Sequence, residues 1–382
     1  MSLATTSPYH LFVGADIAAR SFTAAWGRPD AVLSRPLRYE QTPAGFTALQ
    51  QALAATGVAP AQTLVVMEAT STYWIQLANA LHTGGYHVSV VNPKQAHDTA
   101  CAVLQHAKTD PLDAKMLAQL GQKLAPARWT PPPAIYHELQ QRLAWRDSLV
   151  ALRTQVSNQH HALLHEQVVV DAVAGSQTAL ISTLTAQIQA VERELTEVIA
   201  TDHAWTASIV RLQSIPGVGL VTAAWLIVAT ANFTACASVE AATGYVGLAP
   251  HPWQSGSSVR GRPHIGHSGN ARVRHALYMA SVSALRCNPI LRTFYARLKA
   301  AGKAAKVALC AVARKLLHLA WALVTKQQIR SGVRPTAPPI RGRRRVIFSP
   351  ARRAMWHNRN SEGGQPARLP PAPTQREGPG GP

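Results

Sequence analysis

Four carboxylates in the first third of the chain are spaced so that they can work together. Asp16 ends the apolar run Leu11 to Ala15, and Glu68 ends the run Thr63 to Met67. Asp110 and Asp113 follow in Lys108-Thr109-Asp110-Pro111-Leu112-Asp113-Ala114-Lys115. Grouped carboxylates hold hard divalent cations, here expected to be Mg2+ or Mn2+. A pair of such cations activates an attacking oxygen and stabilises a leaving one in phosphodiester cleavage. Asp110, just before Pro111, fits the cap or first turn of a helix, and Asp113 then lies one turn along on the same face. Each acid alone has an ordinary explanation: a turn residue, a helix cap, a dipole partner, or a salt bridge from Glu68 to Lys94 or Lys108. Together they weigh more, because residues 1–125 contain only seven acids.

These acids need a frame. Leu11 to Ala15, Ser21 to Trp26, Ala31 to Tyr39, Thr63 to Met67 and Tyr86 to Val91 read as strands. Gly45 to Ala55, Tyr73 to Leu81 and the segment opened by Pro93 read as helices. Strands alternating with helices give an α/β domain with a mixed sheet over residues 1–125. Asp16 and Glu68 then stand at the C-terminal ends of strands, where such sheets place their sites. Pro126 and Pro131-Pro132-Pro133 end this domain.

Residues 134–205 read as a helical hairpin or coiled coil. Leu139 to Leu164 forms one helix. Ile181, Leu184, Ile188, Val191, Leu195 and Val198 form a heptad seam on the other, with the joint around Asp171 to Gln177. The hairpin serves as a spacer or a dimerisation element. Residues 206–326 form a second, mostly helical domain, with helices at Ala271 to Leu285, Ile290 to Lys299 and Lys303 to Thr325. Within it, Ile215-Pro216-Gly217-Val218-Gly219 has the form of a helix-hairpin-helix turn, whose Gly217 and Gly219 let backbone amides approach a phosphate. The ordinary alternative is a tight turn between packed helices.

Charge is distributed unevenly. The 382 residues carry a formal net charge of +20. No Asp or Glu occurs from Ala241 to Ser361, and the segment from Gln327 onward has eleven Arg against two Glu. A carboxylate-held metal must therefore be built from the N-terminal half, while the C-terminal half is equipped for a polyanion. Residues 327–382 read as a disordered basic tail. The four cysteines, Cys101, Cys236, Cys287 and Cys310, form no CxxC pair, which argues against a zinc knuckle. No signal peptide and no uninterrupted membrane span is expected.

Val13-Gly14-Ala15-Asp16, Val66-Met67-Glu68-Ala69-Thr70, Val91-Asn92-Pro93-Lys94 and Lys108-Thr109-Asp110-Pro111-Leu112-Asp113-Ala114 resemble, in order, the motifs of the DEDD transposases of the IS one-ten group. The resemblance continues through Ile215 to Gly219, Gly244-Tyr245-Val246-Gly247-Leu248-Ala249-Pro250, Gln254-Ser255-Gly256 and Gly269-Asn270-Ala271-Arg272-Val273-Arg274. It covers roughly Leu11 to Val324. It implies a RuvC-like, RNase H-fold N-terminal domain with metal ligands Asp16, Glu68, Asp110 and Asp113. It also implies a catalytic serine in the C-terminal domain, carried onto Ser255, which attacks a phosphodiester and holds the DNA covalently until strand exchange. Ser257, Ser258 and Ser268 are rivals for that role. No acid lies near this serine in sequence, so its activation must come from the N-terminal domain. Arg260, Arg262, Arg272 and Arg274 are expected to hold phosphates. Two departures stand out: Gly266-His267-Ser268 where the family has Ser-Lys-Arg, and Ser71 where glycine is common.

The expected activity is therefore metal-dependent cleavage and strand exchange of insertion-sequence DNA. The resemblance implies that an element-encoded guide RNA selects that DNA by pairing. A homodimer or homotetramer in the bacterial cytoplasm, associated with the nucleoid, is the expected setting. Two other classes compete: a junction-cutting hydrolase that uses the same acids without Ser255, and a decayed, non-catalytic nucleic-acid-binding protein.

Overall fold

The computed structural model describes residues 8–102, 109–255, 259–266 and 268–326. The tail from Gln327, Lys108, Ser257, Ser258, His267 and the side chains of Ser255, Arg260 and Arg262 lie outside the described residues.

The N-terminal half is a five-stranded sheet in the order β3-β2-β1-β4-β5. Strands β1 (Leu11–Ile17), β2 (Ser21–Gly27) and β3 (Leu37–Glu40) form an antiparallel meander. Strands β4 (Thr63–Glu68) and β5 (His87–Val91) run parallel to β1. The strand expected over Ala31 to Tyr39 shortens to β3. Pro36 brings no N–H to a ladder, and Val32 is left almost wholly exposed.

Alternation along the strands sorts side chains onto two faces. Leu11, Val13, Ala15 and Ile17 of β1, with Val65 and Met67 of β4, pack against α1 (Pro43–Ala54) and α2 (Trp74–Thr83). Phe12 of β1, with Leu64 and Val66 of β4, packs against α3 (Pro93–Ala102) and α4 (Asp110–Leu124). Two apolar cores thus sandwich the sheet, and the even-numbered positions of β1 and β4 share the α3–α4 side.

Helices α5 (Ala134–Leu163) and α6 (Asp171–Ala200) form the expected hairpin. The joint lies at residues 164–170, not at Asp171 to Gln177, which form the first turns of α6. Asp171 in that first turn favours the helix N-terminus, and this outweighs the weak propensities of Gly175 and Ser176. Leu184, Ile188, Val191 and Leu195 of the seam are buried. Arg142 pairs with Glu194 and Arg146 with Glu192 across the hairpin, holding its register. The hairpin is rooted in the following domain: Ile135, Leu139, Leu143, Leu195 and Ile199 belong to the C-terminal core.

That core is built by α7 (His203–Gln213), α8 (Leu220–Ala229), α10 (Ala271–Cys287), α11 (Pro289–Ala300) and α12 (Ala305–Thr325), with α9 (Val239–Val246) against α12. Helix α9, capped by Ser238, and an antiparallel pair, β6 (Pro250–Ser255) and β7 (Val259–Ile265), were not foreseen in the sequence. The pair interrupts an otherwise helical domain and carries the Ser255 backbone. Helix α12 is long and apolar enough by length and composition to cross a membrane, but Arg314, Lys315 and His318 interrupt it as expected. Ala308, Val312, Leu316, Leu317 and Ala320 place its apolar face in the protein core instead.

Candidate active site

The backbone brings the four acids together. In the β1–β4 register Gly14 lies opposite Val66 and Ala15 opposite Met67, so the next step sets Asp16 beside Glu68 at the strand ends. By alternation both belong to the α3–α4 side, like Phe12 and Val66. Helix α4 crosses that side with its N-terminus at the carboxylate end. A Cβ on Gly14 would lie 2.0 Å from the Ala114 carbonyl oxygen and 2.3 Å from the Ala118 nitrogen. At the far end of α4, a Cβ on Gly121 would lie 3.0 Å from Val66 Cγ2 and 3.3 Å from Phe12 Cδ1. Gly14 and Gly121 are thus the contact points that let helix and sheet approach closely. The approach brings the first turn of α4, with Asp110 and Asp113, over Asp16.

Electrostatics report the same cluster. Burial pushes the Asp16 carboxyl up to about 6, and the negative charges of Asp110, Asp113 and Glu68 push in the same direction. The hydrogen bond with the Ile17 backbone opposes them. Glu68 accepts a hydrogen bond of 2.8 Å from Thr70 Oγ1. It does not pair with Lys94, whose Nζ lies 2.8 Å from Asp98. Asp110 is not a cap either: Thr109 occupies the N-cap position, with Asp110 and Asp113 both in the first turn of α4. The capping explanation for Asp110 and the Lys94 pairing of Glu68 are thereby removed, while Lys108 lies outside the described residues.

The donor set fits a hard divalent cation in type, being all carboxylate. Among the described residues, however, no three His, Cys, Asp or Glu side chains already stand in a chelating group. Like charges without a counter-ion repel one another.

Ser71, the residue beyond Thr70, has φ 56°. This left-handed conformation explains physically why glycine suits the position.

The C-terminal motifs resolve into structure more than into ligand contacts. Gly217 has φ 105°, and a Cβ there would lie 2.6–2.8 Å from Ala284 of α10. It serves a tight turn between packed helices, whereas Gly219, at the N-cap of α8, has open space around it. A Cβ on Gly269 would lie 2.6 Å from the Gly247 nitrogen, so these two glycines bring two chain segments together. Arg274 clamps the same junction, donating to the Val246 carbonyl at 3.2 Å and the Ser268 carbonyl at 3.0 Å. Asn270 caps α10, its side chain accepting from the Val273 N–H at 3.2 Å. Asparagine directly before a helical run was the signal for that role. Arg272 stays exposed, 5.3 Å over the ring of Trp225.

Ser255 ends β6 in register with Val259, the first residue of β7. Arg260 and Arg262 sit on the returning strand β7. Ser268 and Gly269 line a cleft of about 790 Å³, facing Asn92, Lys94, Gln95 and Lys123 of the α/β half. Asn92 directly follows Val91, the register partner of Glu68, so one wall of this cleft adjoins the acidic site.

Residues 13–169 match a family model described as transposase, and residues 210–296 match one described as transposase, IS116/IS110/IS902 family. A pilin gene-inverting protein of Moraxella bovis is 29% identical over 269 residues, covering 69% of this chain and 80% of the relative. An uncharacterized protein of insertion element IS110 from Streptomyces coelicolor is 31% identical over 165 residues, 42% of this chain and 40% of the relative. The two models cover the acidic site and the helical domain in turn, and the chain belongs to the IS110 family of transposases.

Proposed function

We propose that the chain is a recombinase that cuts and rejoins the DNA of an insertion sequence at a composite site. The observation that supports this reading is that Asp16, Glu68, Asp110 and Asp113 gather at one end of the β3-β2-β1-β4-β5 sheet, by the N-terminus of α4. These four residues would hold Mg2+ or Mn2+, which supplies charge neutralisation at the reacting phosphate and lowers the pKa of the attacking hydroxyl. The chain's own contribution is position. Gly14 and Gly121 fix α4 on the sheet, and α4 fixes Asp110 and Asp113 over Asp16.

Ser255 is the nucleophile in this reading. Its hydroxyl oxygen attacks phosphorus, the 3′-oxygen leaves, and the DNA remains linked to the serine until a second strand end reverses the exchange. In this reading the serine proton goes to a base from the acidic half, since residues 241–326 offer no carboxylate and only histidines as alternative acceptors. The place of Ser255 at the end of β6, in register with Val259, is compatible with this assignment. An element-encoded RNA that pairs with donor and target, and a dimer or tetramer that brings two sites together, complete the proposal.

The test incubates the full chain with Mg2+, end-junction DNA and RNA transcribed from the flanking non-coding region, followed by a denaturing gel. A covalent protein–DNA adduct lost in both Ser255→Ala and Asp16→Asn is the expected result. Cleavage without an adduct would replace this reading with a hydrolase. Adduct formation without the RNA would remove the guide from it.

A further inference from the structure

We propose that the α11–α12 helical hairpin is a docking surface for the phosphate backbone of double-stranded DNA, separate from the acidic site. The inference rests on the transposase reading for the identity of the polyanion, and on the following observations for its place.

Between Arg286 and Lys315 the chain carries eight Lys and Arg and no Asp or Glu. The structure divides these cations by role. Arg292 turns back to donate to the Leu285 carbonyl at 2.8 Å and to the Arg286 carbonyl, so it ties α11 to the end of α10. Arg314 directs its Nε toward His318 on its own helix, at 3.5 Å. Those guanidinium groups hold the fold together.

Arg297, Lys299, Lys303 and Lys315 are exposed and keep their charge at the surface. Arg297 and Lys315 lie over the ring of Phe294, at 5.4 Å and 4.7 Å, which anchors their stems and leaves their charge in solvent. Lys299 Nζ rests on the Lys303 carbonyl, and the Lys303 side chain extends from the turn that Gly302 makes with φ 76°.

The backbone beneath them is fixed. Helix α12 is buried along Ala308, Val312, Leu316 and Leu317, and α11 is anchored by Leu291 and by the Asn288 cap. Like charges gathered on a rigid hairpin repel one another and lower stability unless an anion arrives. Neither α11 nor α12 carries a carboxylate to repel phosphates; Glu240, on the neighbouring α9, interacts with Arg314 and His318. Phe294 and Tyr295 are half-buried, which leaves no open aromatic platform of the kind that stacks single-stranded bases. A point-charge surface without stacking rings suits a duplex backbone, read without regard to sequence.

The experiment measures binding of the full chain to a mixed-sequence 30-base-pair DNA duplex by fluorescence anisotropy across a salt series. It compares wild type with Arg297→Gln/Lys299→Gln/Lys303→Gln and with Arg153→Gln/Arg193→Gln on the α5–α6 hairpin. Unchanged helix content and melting temperature would show that the triple variant folds. The expected result is a roughly tenfold or greater loss of affinity in the triple variant, with the log K against log salt slope shallower by about 2 to 3. The α5–α6 control should stay within about twofold of wild type.

Equal affinity and equal slope in the triple variant would overturn the proposal while leaving the transposase reading intact. A loss seen only with structured RNA would overturn the assignment to DNA. A wild-type chain that binds no duplex would overturn this surface, while the covalent-adduct assay with RNA present decides the transposase reading separately.

Discussion

In the α/β half, Asp16 is surrounded by three further carboxylates; in the helical half, residues 241–326 contain none at all. One region concentrates negative charge at a strand end, and the other spreads positive charge over exposed helices. The first is local, assembled by backbone contacts at Gly14 and Gly121, and it favours a compact cation. The second is broad and favours an extended polyanion. The proposed phosphate chemistry needs both, because carboxylates alone repel a phosphate. The helical half also shows that a basic motif is not uniformly a binding motif, since Arg274 is spent on carbonyls while its neighbour Arg272 faces solvent.

The comparison breaks most decisively at the acidic end. Asp16→Asn is expected to lower strand cleavage by at least about 100-fold while leaving duplex binding within about twofold, as read by gel cleavage and anisotropy. Loss of binding alongside cleavage would show that the acids serve the fold and not a cation. Saturating Mg2+ should raise the melting temperature of wild type but not of Asp110→Asn, because only a folded carboxylate site gains from the ion.

Gly14→Ala tests whether helix–sheet contact assembles the site. The added methyl group meets backbone atoms that cannot rotate away. A destabilisation of about 3 kcal/mol is expected in chemical denaturation. A neutral result would mean that α4 can shift without consequence.

Arg274→Ala should cost about 2 kcal/mol, since it leaves the Val246 and Ser268 carbonyls without their charged donor. Arg272→Ala should leave stability nearly unchanged and weaken nucleic-acid binding instead. Equal effects of the two substitutions would erase the division between clamp and contact.

The acidic site also has a pH signature. The folded Asp16 carboxyl titrates near 6, above the ordinary 3.8. Its protonated form therefore stabilises the fold, a contribution fully present below about pH 4 and lost as pH rises through about 6. In metal-free buffer at pH 8, Asp16→Asn should be more stable than wild type by about 1 kcal/mol, after allowing for solvent screening of a partly exposed group. The difference should vanish at pH 4 in thermal melts. The smallest effect is expected at Ser71→Gly: relief of its positive φ outweighs the added freedom of the unfolded chain by about 0.5 kcal/mol.

The sequence alone carried the strands that end in Asp16 and Glu68, the position of Asp110 and Asp113 in a first helical turn, and the seam of α6. Each depends on a short-range period or on capping chemistry, so neighbouring residues suffice to specify it. The β6–β7 pair escaped notice because Pro250 to Ser255 lacks the apolar alternation that marks a strand. The joint of the helical hairpin was misplaced because Gly175 and Ser176 suggested a loop where the helix had already begun.

What only the tertiary structure decided is the contact between distant segments. Gly217 sits in a motif that the sequence offers for phosphate contact, and only the structure shows that the α10 backbone presses against it. The approach of α4 to β1, which turns four scattered acids into one site, follows from shape fitting across about a hundred residues. No local pattern encodes that distance, because steric complementarity exists only once both surfaces are formed.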